Sequence, residues 1–245
     1  LIPACMSEGA DALRRRGANH FTGVCLSEVA TTVNSLAATR ELCFMQQKIS
    51  LKKLVKVLKE NFDGYEALRQ NLLQAPKFGN DYETTDNLGC MLLETFSTLL
   101  ACQPHARNGQ YVPLVFSRPQ RQLDILGVKT AATADGRKAK TMLAVSLIPT
   151  NGTASKGLTA IFNSQNRLPL HLLAGGLSNN LDVDCSVLIA DGREKIIDML
   201  KTWILTGGVE LSLQFAAREI LLQAKKNPDK FPNLAVRVYG FSELF

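Results

Sequence analysis

Apolar residues recur at helical spacing through the first hundred residues of the chain. Over residues 27–47, Val29, Val33, Leu36, Ala37 and Phe44 fall near one face and predict a helix. Leu51, Leu54, Val55 and Leu58 predict a second helix, with Ser50 as its N-cap. Asn61-Phe62-Asp63-Gly64 reads as a turn, and Tyr65–Gln74 as a helix that Pro76 ends. Asp86–Cys102 predicts a long helix, amphipathic to fully buried, closed by Pro104.

The pattern then changes. Gln110–Ser117 is β-rich, and Leu126–Thr133 is expected to be another extended piece before the turn Asp135-Gly136-Arg137. From 143 to 193, short apolar runs broken by Asn, Gly, Ser and Pro predict short strands and long loops. Glu194–Thr206 reads as a helix followed by Gly207-Gly208, Val209–Phe215 as an alternating strand, and Arg218–Lys226 as a helix. Asn227–Lys230 forms a turn, and Asn233–Phe241 is extended. The fold class is α/β, without internal repeats or low-complexity tracts.

Composition narrows the function classes. With 46% hydrophobic and 20% charged residues among 245, the chain has enough apolar material for a packed core, so disorder is excluded. No apolar run is long enough to span a bilayer, so an integral membrane protein is not expected. The net charge of +6 raises the question of nucleic acid, but the basic residues are dispersed. Arg14-Arg15-Arg16 is one dense group; Lys52, Lys53, Lys56 and Lys59 lie on the polar side of the second helix. No aromatic residues interleave with them, as a stacking platform requires, so nucleic acid is not a partner. The six cysteines form no CxxC pair, which argues against zinc or an iron–sulfur cluster in this chain and fits a reducing cytosol. His20, His105 and His171 lie too far apart to suggest a triad. The chain opens at Leu1 with no signal segment and stops at Phe245 after an apolar stretch, as expected of a piece of something larger.

Gly240 stands out in the apolar run Ala235-Val236-Arg237-Val238-Tyr239-Gly240-Phe241, because glycine weakens a strand. Alone it reads as a tight turn. The segment from Asn227 to Phe241, however, resembles the glycyl radical signature of the pyruvate formate-lyase superfamily: a helix, an NP(E/D)KY-like turn and a strand close to VRV(S/A)GY. Gly207-Gly208 and Arg218-Glu219 fit the same carboxy-terminal domain, and Thr133-Ala134-Asp135-Gly136-Arg137-Lys138 resembles the family's TPDGR turn. Gly17-Ala18-Asn19-His20-Phe21-Thr22-Gly23-Val24 resembles its GGARYNFTGV loop. Ser35-Leu36-Ala37-Ala38, Asn61–Glu66 and Pro76–Asp81 follow in the family's order. The FTG loop points to the dehydratase, decarboxylase and lyase-like branch.

The resemblance implies the C-terminal half of a ten-stranded glycyl radical enzyme α/β barrel, with surrounding helices and a glycine radical loop. Residues 1–128 would be the barrel region and 129–245 the glycine radical domain. It also implies that Gly240 stores a radical installed by a separate iron–sulfur, S-adenosylmethionine-dependent activase, with no cofactor bound to the chain itself. The radical would pass to a cysteine thiyl outside this chain and then to a small-molecule substrate; none of the six cysteines here matches the thiyl context. Arg237, Tyr239 and Phe241 would support the radical loop, while His20, Ser212, Gln214 and the loop near Pro113 are candidate pocket residues. Family architecture further implies a homodimer of the full-length enzyme in an anaerobic cytoplasm. The sequence departs from the pattern at Tyr239, at Phe241 and at Ser212-Leu213-Gln214, where the family has Gln-x-Asn. A non-catalytic spare-part radical donor and an inactive divergent paralogue are the alternative readings.

Overall fold

The computed structural model describes residues 2–9, 11, 20–105, 109–116, 120–189, 191–215, 217–231, 234–238 and 241–244. Helix α1 (Pro3–Glu8) ends on Gly9, whose left-handed backbone (φ 60°) lets its N–H cap the Cys5 carbonyl. Strand β1 (Phe21–Cys25) leads into α2 (Val29–Thr39), which widens to a π-helical turn over Arg40–Met45. That widening rephases the apolar stripe. Val29, Val33 and Ala37 are buried as expected, but Phe44 is 59% exposed and Leu42 takes the inward position instead. Leu36, expected near the buried face, is also exposed.

Helix α3 (Leu51–Lys59) is capped by Ser50, whose Oγ accepts from the Lys53 N–H at 3.3 Å. Its buried positions are Leu54 and Val57, so the inward stripe lies to one side of the expected one, and Leu51 and Val55 face out. The turn at 61–64 holds Asn61, Phe62 and Gly64 at positive φ and drives Phe62 into the core. Helices α4 (Glu66–Gln74) and α5 (Glu83–Ala101) follow as the pattern predicts.

Strand β2 (Gln110–Leu114) pairs in parallel with β1, Phe21 to Gln110 through Cys25 to Leu114. Two segments differ from expectation. Residues 126–129 belong to a helix, α6 (Gln120–Lys129), rather than to an extended piece. Gly127 allows it to press on the 141–142 backbone, since a Cβ there would sit 2.5 Å from the Thr141 carbonyl oxygen. Within 143–193, helix α7 (Leu158–Asn166) replaces the expected loops and buries Ala160 and Phe162. Its buried positions, Ala160, Phe162, Ser164 and Gln165, mix apolar and polar residues and show no simple apolar period.

Strand β3 (Asn180–Val183), α8 (Gly192–Leu205), β4 (Ser212–Phe215) and α9 (Arg218–Lys226) complete the barrel wall and its cover. β4 pairs in parallel with β3, and Leu177, just upstream of β3, bridges in parallel to Val115 after β2. β1–β2 and β3–β4 are thus two parallel two-stranded sheets linked, among the described residues, by that single bridge. β5 (Ala235–Val238) and β6 (Phe241–Leu244) form an antiparallel pair, so the segment expected as one extended run reverses direction.

Two cores hold these layers. The larger packs Val29, Phe78, Leu93 and Val115 with Leu147, Phe162 and Trp203, so it draws on residues from both sides of position 128. Inside it, Gln165 and Asn179 exchange side-chain hydrogen bonds at 3.1 and 2.9 Å, which satisfies two fully buried amides and fixes the approach to β3. The smaller core joins Leu42, Leu54, Phe62 and Leu72 with Ala132 and Ala134. Among the described residues, no helix is long and apolar enough to cross a membrane.

Candidate functional site: the concave strand face and the terminal hairpin

The alternation of each strand decides which side chains meet the core. Leu181 and Val183 of β3 are buried, and Leu211 and Leu213 at β4 pack on the same core. Successive strand residues point to opposite faces, so Asn180 and Asp182 lie on the other side with Ser212 and Gln214. The register places Asn180 beside Ser212 and Asp182 beside Gln214, giving a polar stripe across two strands. Asn180 Nδ2 donates to Ser178 Oγ at 3.0 Å, extending the stripe by one residue. On β1 and β2, Leu26 and Val115 face the core, so Gly23, Cys25 and Leu114 fall on the stripe's side. Gly23 is needed there: a Cβ would lie 2.5 Å from Leu114 Cδ2.

Asp182 lies on the non-core face of β3. The residue is exposed, yet surrounding protein removes water from its carboxyl and raises its pKa. Its alternating neighbours Leu181 and Val183 were the signal that could have marked it in the sequence; composition alone could not.

The expected pocket residues separate. Ser212 and Gln214 share β4 and its non-core face. His20 lies before β1, in the other strand pair, where its carbonyl accepts from Gln110 N at 2.8 Å. Pro113 is buried within β2 rather than in a loop, and its carbonyl accepts from Gly175 N at 2.9 Å. Gly240 and Tyr239 lie outside the described residues. Of their flanks, Val238 pairs with Phe241 and Arg237 with Ser242.

The Asp135-Gly136-Arg137 turn is a structural clamp. Arg137 is buried and donates to the Thr141 and Ala131 carbonyls at 2.6 Å each, to Thr133 Oγ1 at 3.2 Å and to the Thr130 carbonyl at 3.3 Å. Asp135 Oδ1 accepts from Thr133 Oγ1 at 2.5 Å and from the Arg137 N–H at 3.3 Å. Gly136 takes φ 96°, where Leu73 leaves no room for a Cβ. Lys77 is buried nearby and donates to the Leu72 carbonyl at 2.6 Å. Burial lowers its pKa from 10.5 to about 8, against the opposing pull of Asp135. Among the described residues, no group of three His, Cys, Asp or Glu could hold a metal ion.

Parallel strand pairs packed with helices, with a polar stripe on the non-core strand face, define an α/β protein. Residues 1–118 match the pyruvate formate lyase-like family and residues 143–245 match the glycine radical family. The chain belongs to the glycyl radical enzyme superfamily, and its fold is that superfamily's α/β barrel fold. It is similar to the probable dehydratase YbiW of Escherichia coli, with 34% identity over 100% of this chain and 31% of that protein. It is also similar to the isethionate sulfite-lyase of Bilophila wadsworthia, with 29% identity over 89% of this chain and 26% of that protein. The glycerol-bound B12-independent glycerol dehydratase from Clostridium butyricum superposes with a TM-score of 0.88 and 29% identity, over 99% of this chain and 31% of that one. The chain thus spans about a third of the length of the curated relative it matches at 34% identity.

Proposed function

We propose that this chain is the radical-bearing portion of a glycyl radical dehydratase or lyase, with a barrel region at 1–128 and a glycine radical domain at 129–245. The carrying observation is that residues 143–245, a segment that includes Gly240, match the glycine radical family. Glycine suits the role because its α-carbon bears no side chain. It can become planar, and the flanking amide nitrogen and carbonyl then delocalise the unpaired electron. Arg237, Tyr239 and Phe241 are proposed to support the radical loop, as the family resemblance implies.

In this reading a separate radical S-adenosylmethionine activase removes one α-hydrogen from Gly240. A cysteine thiyl contributed by residues outside this chain then takes a hydrogen atom from the substrate, and the stored radical is regenerated at the end of the turnover. The chain's own part is positioning and exclusion of water and oxygen, with Ser212 and Gln214 on the substrate side of the wall. His20 serves at the opening of β1. The substrate is a small hydroxylated molecule, the full-length protein is a homodimer, and the compartment is an anaerobic cytoplasm.

The test is electron paramagnetic resonance on the full-length protein after anaerobic activation. One remaining α-hydrogen on Gly240 splits the radical signal into a doublet. Gly240→Ala removes the signal and all turnover while leaving the melting temperature within a few degrees. A wild-type protein that gives no glycine-dependent doublet overturns the reading and favours the inactive paralogue.

A further inference from the structure

Positive charge is distributed unevenly along the chain. From Leu42 to Lys59 there are five lysines and no acidic residue, whereas the rest of the chain holds 23 basic and 22 acidic residues. That one segment therefore carries nearly the whole net charge of +6. All five lysines, Lys48, Lys52, Lys53, Lys56 and Lys59, are exposed. Lys56 meets Glu60 at 3.9 Å; among the described residues no carboxylate pairs with Lys52, Lys53 or Lys59. Large apolar side chains are exposed in the same segment. Phe44 and Met45 lie on the π-helical turn, at 59% and 66%, and Leu51 and Val55 lie one turn apart on α3. A groove of about 470 Å³ is lined by Ser50, Val55 and the four lysines of α3.

Two features of α3 work against its own stability. Lys52 and Lys53 occupy the first turn, where the positive end of the helix macrodipole repels a cation. Lys53 also stands three residues after the Ser50 cap, where a glutamate would complete a capping box by reaching back to the Ser50 N–H. The Leu51–Val55 ridge adds no burial, since α3 is held to the smaller core by Leu54 and Val57. Misplaced cations beside apolar groups left in water fit a face that another molecule covers. We infer that the face formed by residues 44–59 docks a protein partner that presents carboxylates around an apolar patch. The partner's carboxylates pair with the lysines at the rim, and its apolar side chains cover Phe44, Leu51 and Val55, the arrangement of an apolar centre within a polar rim. A lipid surface fits less well, because the main apolar stripe of α3, Leu54 and Val57, is turned into the core and cannot enter a bilayer. Nucleic acid also fits less well, because a phosphate backbone would pair with the lysines and leave the apolar ridge uncovered.

The inference is independent of the radical chemistry, so its test uses the full-length, unactivated protein. The probe is a synthetic amphipathic peptide helix whose glutamates flank a face of leucine and phenylalanine. Its binding is compared with that of polyglutamate, of duplex DNA and of vesicles of phosphatidylserine and phosphatidylcholine at about one to three. The peptide is expected to bind at least about tenfold more tightly than polyglutamate or DNA, with no measurable binding to the vesicles. Lys52→Glu combined with Lys53→Glu should weaken peptide binding at least about tenfold. The same variant should keep or raise the melting temperature, because it removes the unfavourable charges from the first turn and completes the capping box. Phe44→Ser combined with Val55→Ser should bring peptide binding down to the level of polyglutamate. Absence of peptide binding, or unchanged binding in the Lys52 and Lys53 variant, overturns the docking face. Equal binding of peptide and polyglutamate overturns it in favour of a general polyanion surface, and tighter binding to vesicles in favour of a membrane contact.

Discussion

The helical layer around the smaller core and the strand wall around β3 and β4 treat polar groups in opposite ways. Among the helices several buried polar side chains are tied to two or more partners. Asn80 accepts from the Ser155 and Lys156 backbone at 2.8 and 3.1 Å and donates to the Thr153 carbonyl at 2.8 Å. Asn34 accepts from Phe78 N at 2.7 Å and donates to Thr150 at 3.2 Å. Arg137 joins residues 130–141 into one unit. On the strand wall the non-core positions keep polar groups directed away from the packing, with Asp182 unpaired among the described residues. Closed networks fix a structure, because leaving one member unsatisfied is costly. A carboxylate outside such a network, as Asp182 is, adds little to stability.

The largest effect is expected where the closed network is cut. Arg137→Ala removes the donors to Ala131, Thr133 and Thr141 and leaves those acceptors without their partner. A loss of about 3–5 kcal/mol in urea unfolding is expected, with Arg137→Lys recovering only part of it. A loss under about 1 kcal/mol would show that the turn is not the clamp described and would erase the contrast with the wall.

Lys77 offers a second, pH-dependent cut in the same layer. Its folded pKa, about 8, lies below its ordinary 10.5, so the unfolded chain binds the proton more tightly between those values. Stability therefore rises as pH increases from about 8 to 10.5, and the gain disappears as pH falls back through 8. The full span corresponds to roughly 3 kcal/mol, and comparison with Lys77→Met isolates it from other groups titrating there. Equal pH slopes for the two proteins would mean that the buried amine is not titrating as described.

The sequence carried much of this layout, and the reasons for its gaps are physical. Helices α3, α4, α5, α8 and α9 were legible because each is long enough for its apolar spacing to repeat and has a Ser, Pro or Gly at a boundary. α7 was not, since its nine residues bury Ala160, Phe162, Ser164 and Gln165, a mixture that carries no simple apolar period. Val-Arg-Val-Tyr-Gly-Phe continues the extended pattern, and only Gly240, which alone reads as a tight turn, hints at the chain reversal between β5 and β6. Gly240, Arg237 and the Asp135-Gly136-Arg137 turn were singled out as candidates through ordered motifs, and Ser212 and Gln214 through a departure from one. Asp182 and Asn180 were missed because their importance comes from pairing with β4, a contact 32 residues away in sequence that no local pattern encodes.

The smallest expected change tests the other half of the contrast. Ser212 is held by its backbone, whose N–H donates to the Asn179 carbonyl at 2.8 Å, and its hydroxyl faces away from the core. Ser212→Ala should therefore alter unfolding stability by no more than about 0.5 kcal/mol. Asp182→Asn should be equally mild at neutral pH, with any deviation towards greater stability. The raised pKa of Asp182 means that the folded state holds the proton more firmly than the unfolded chain. Its contribution is then present below the ordinary carboxylate pKa and is lost as pH rises through the folded value, so at neutral pH the charge is an unfavourable group to remove rather than a favourable one. Unfolding curves at pH 7 for the two variants would decide it. A destabilisation comparable to that of Arg137→Ala would place these side chains in a packed network and end the contrast.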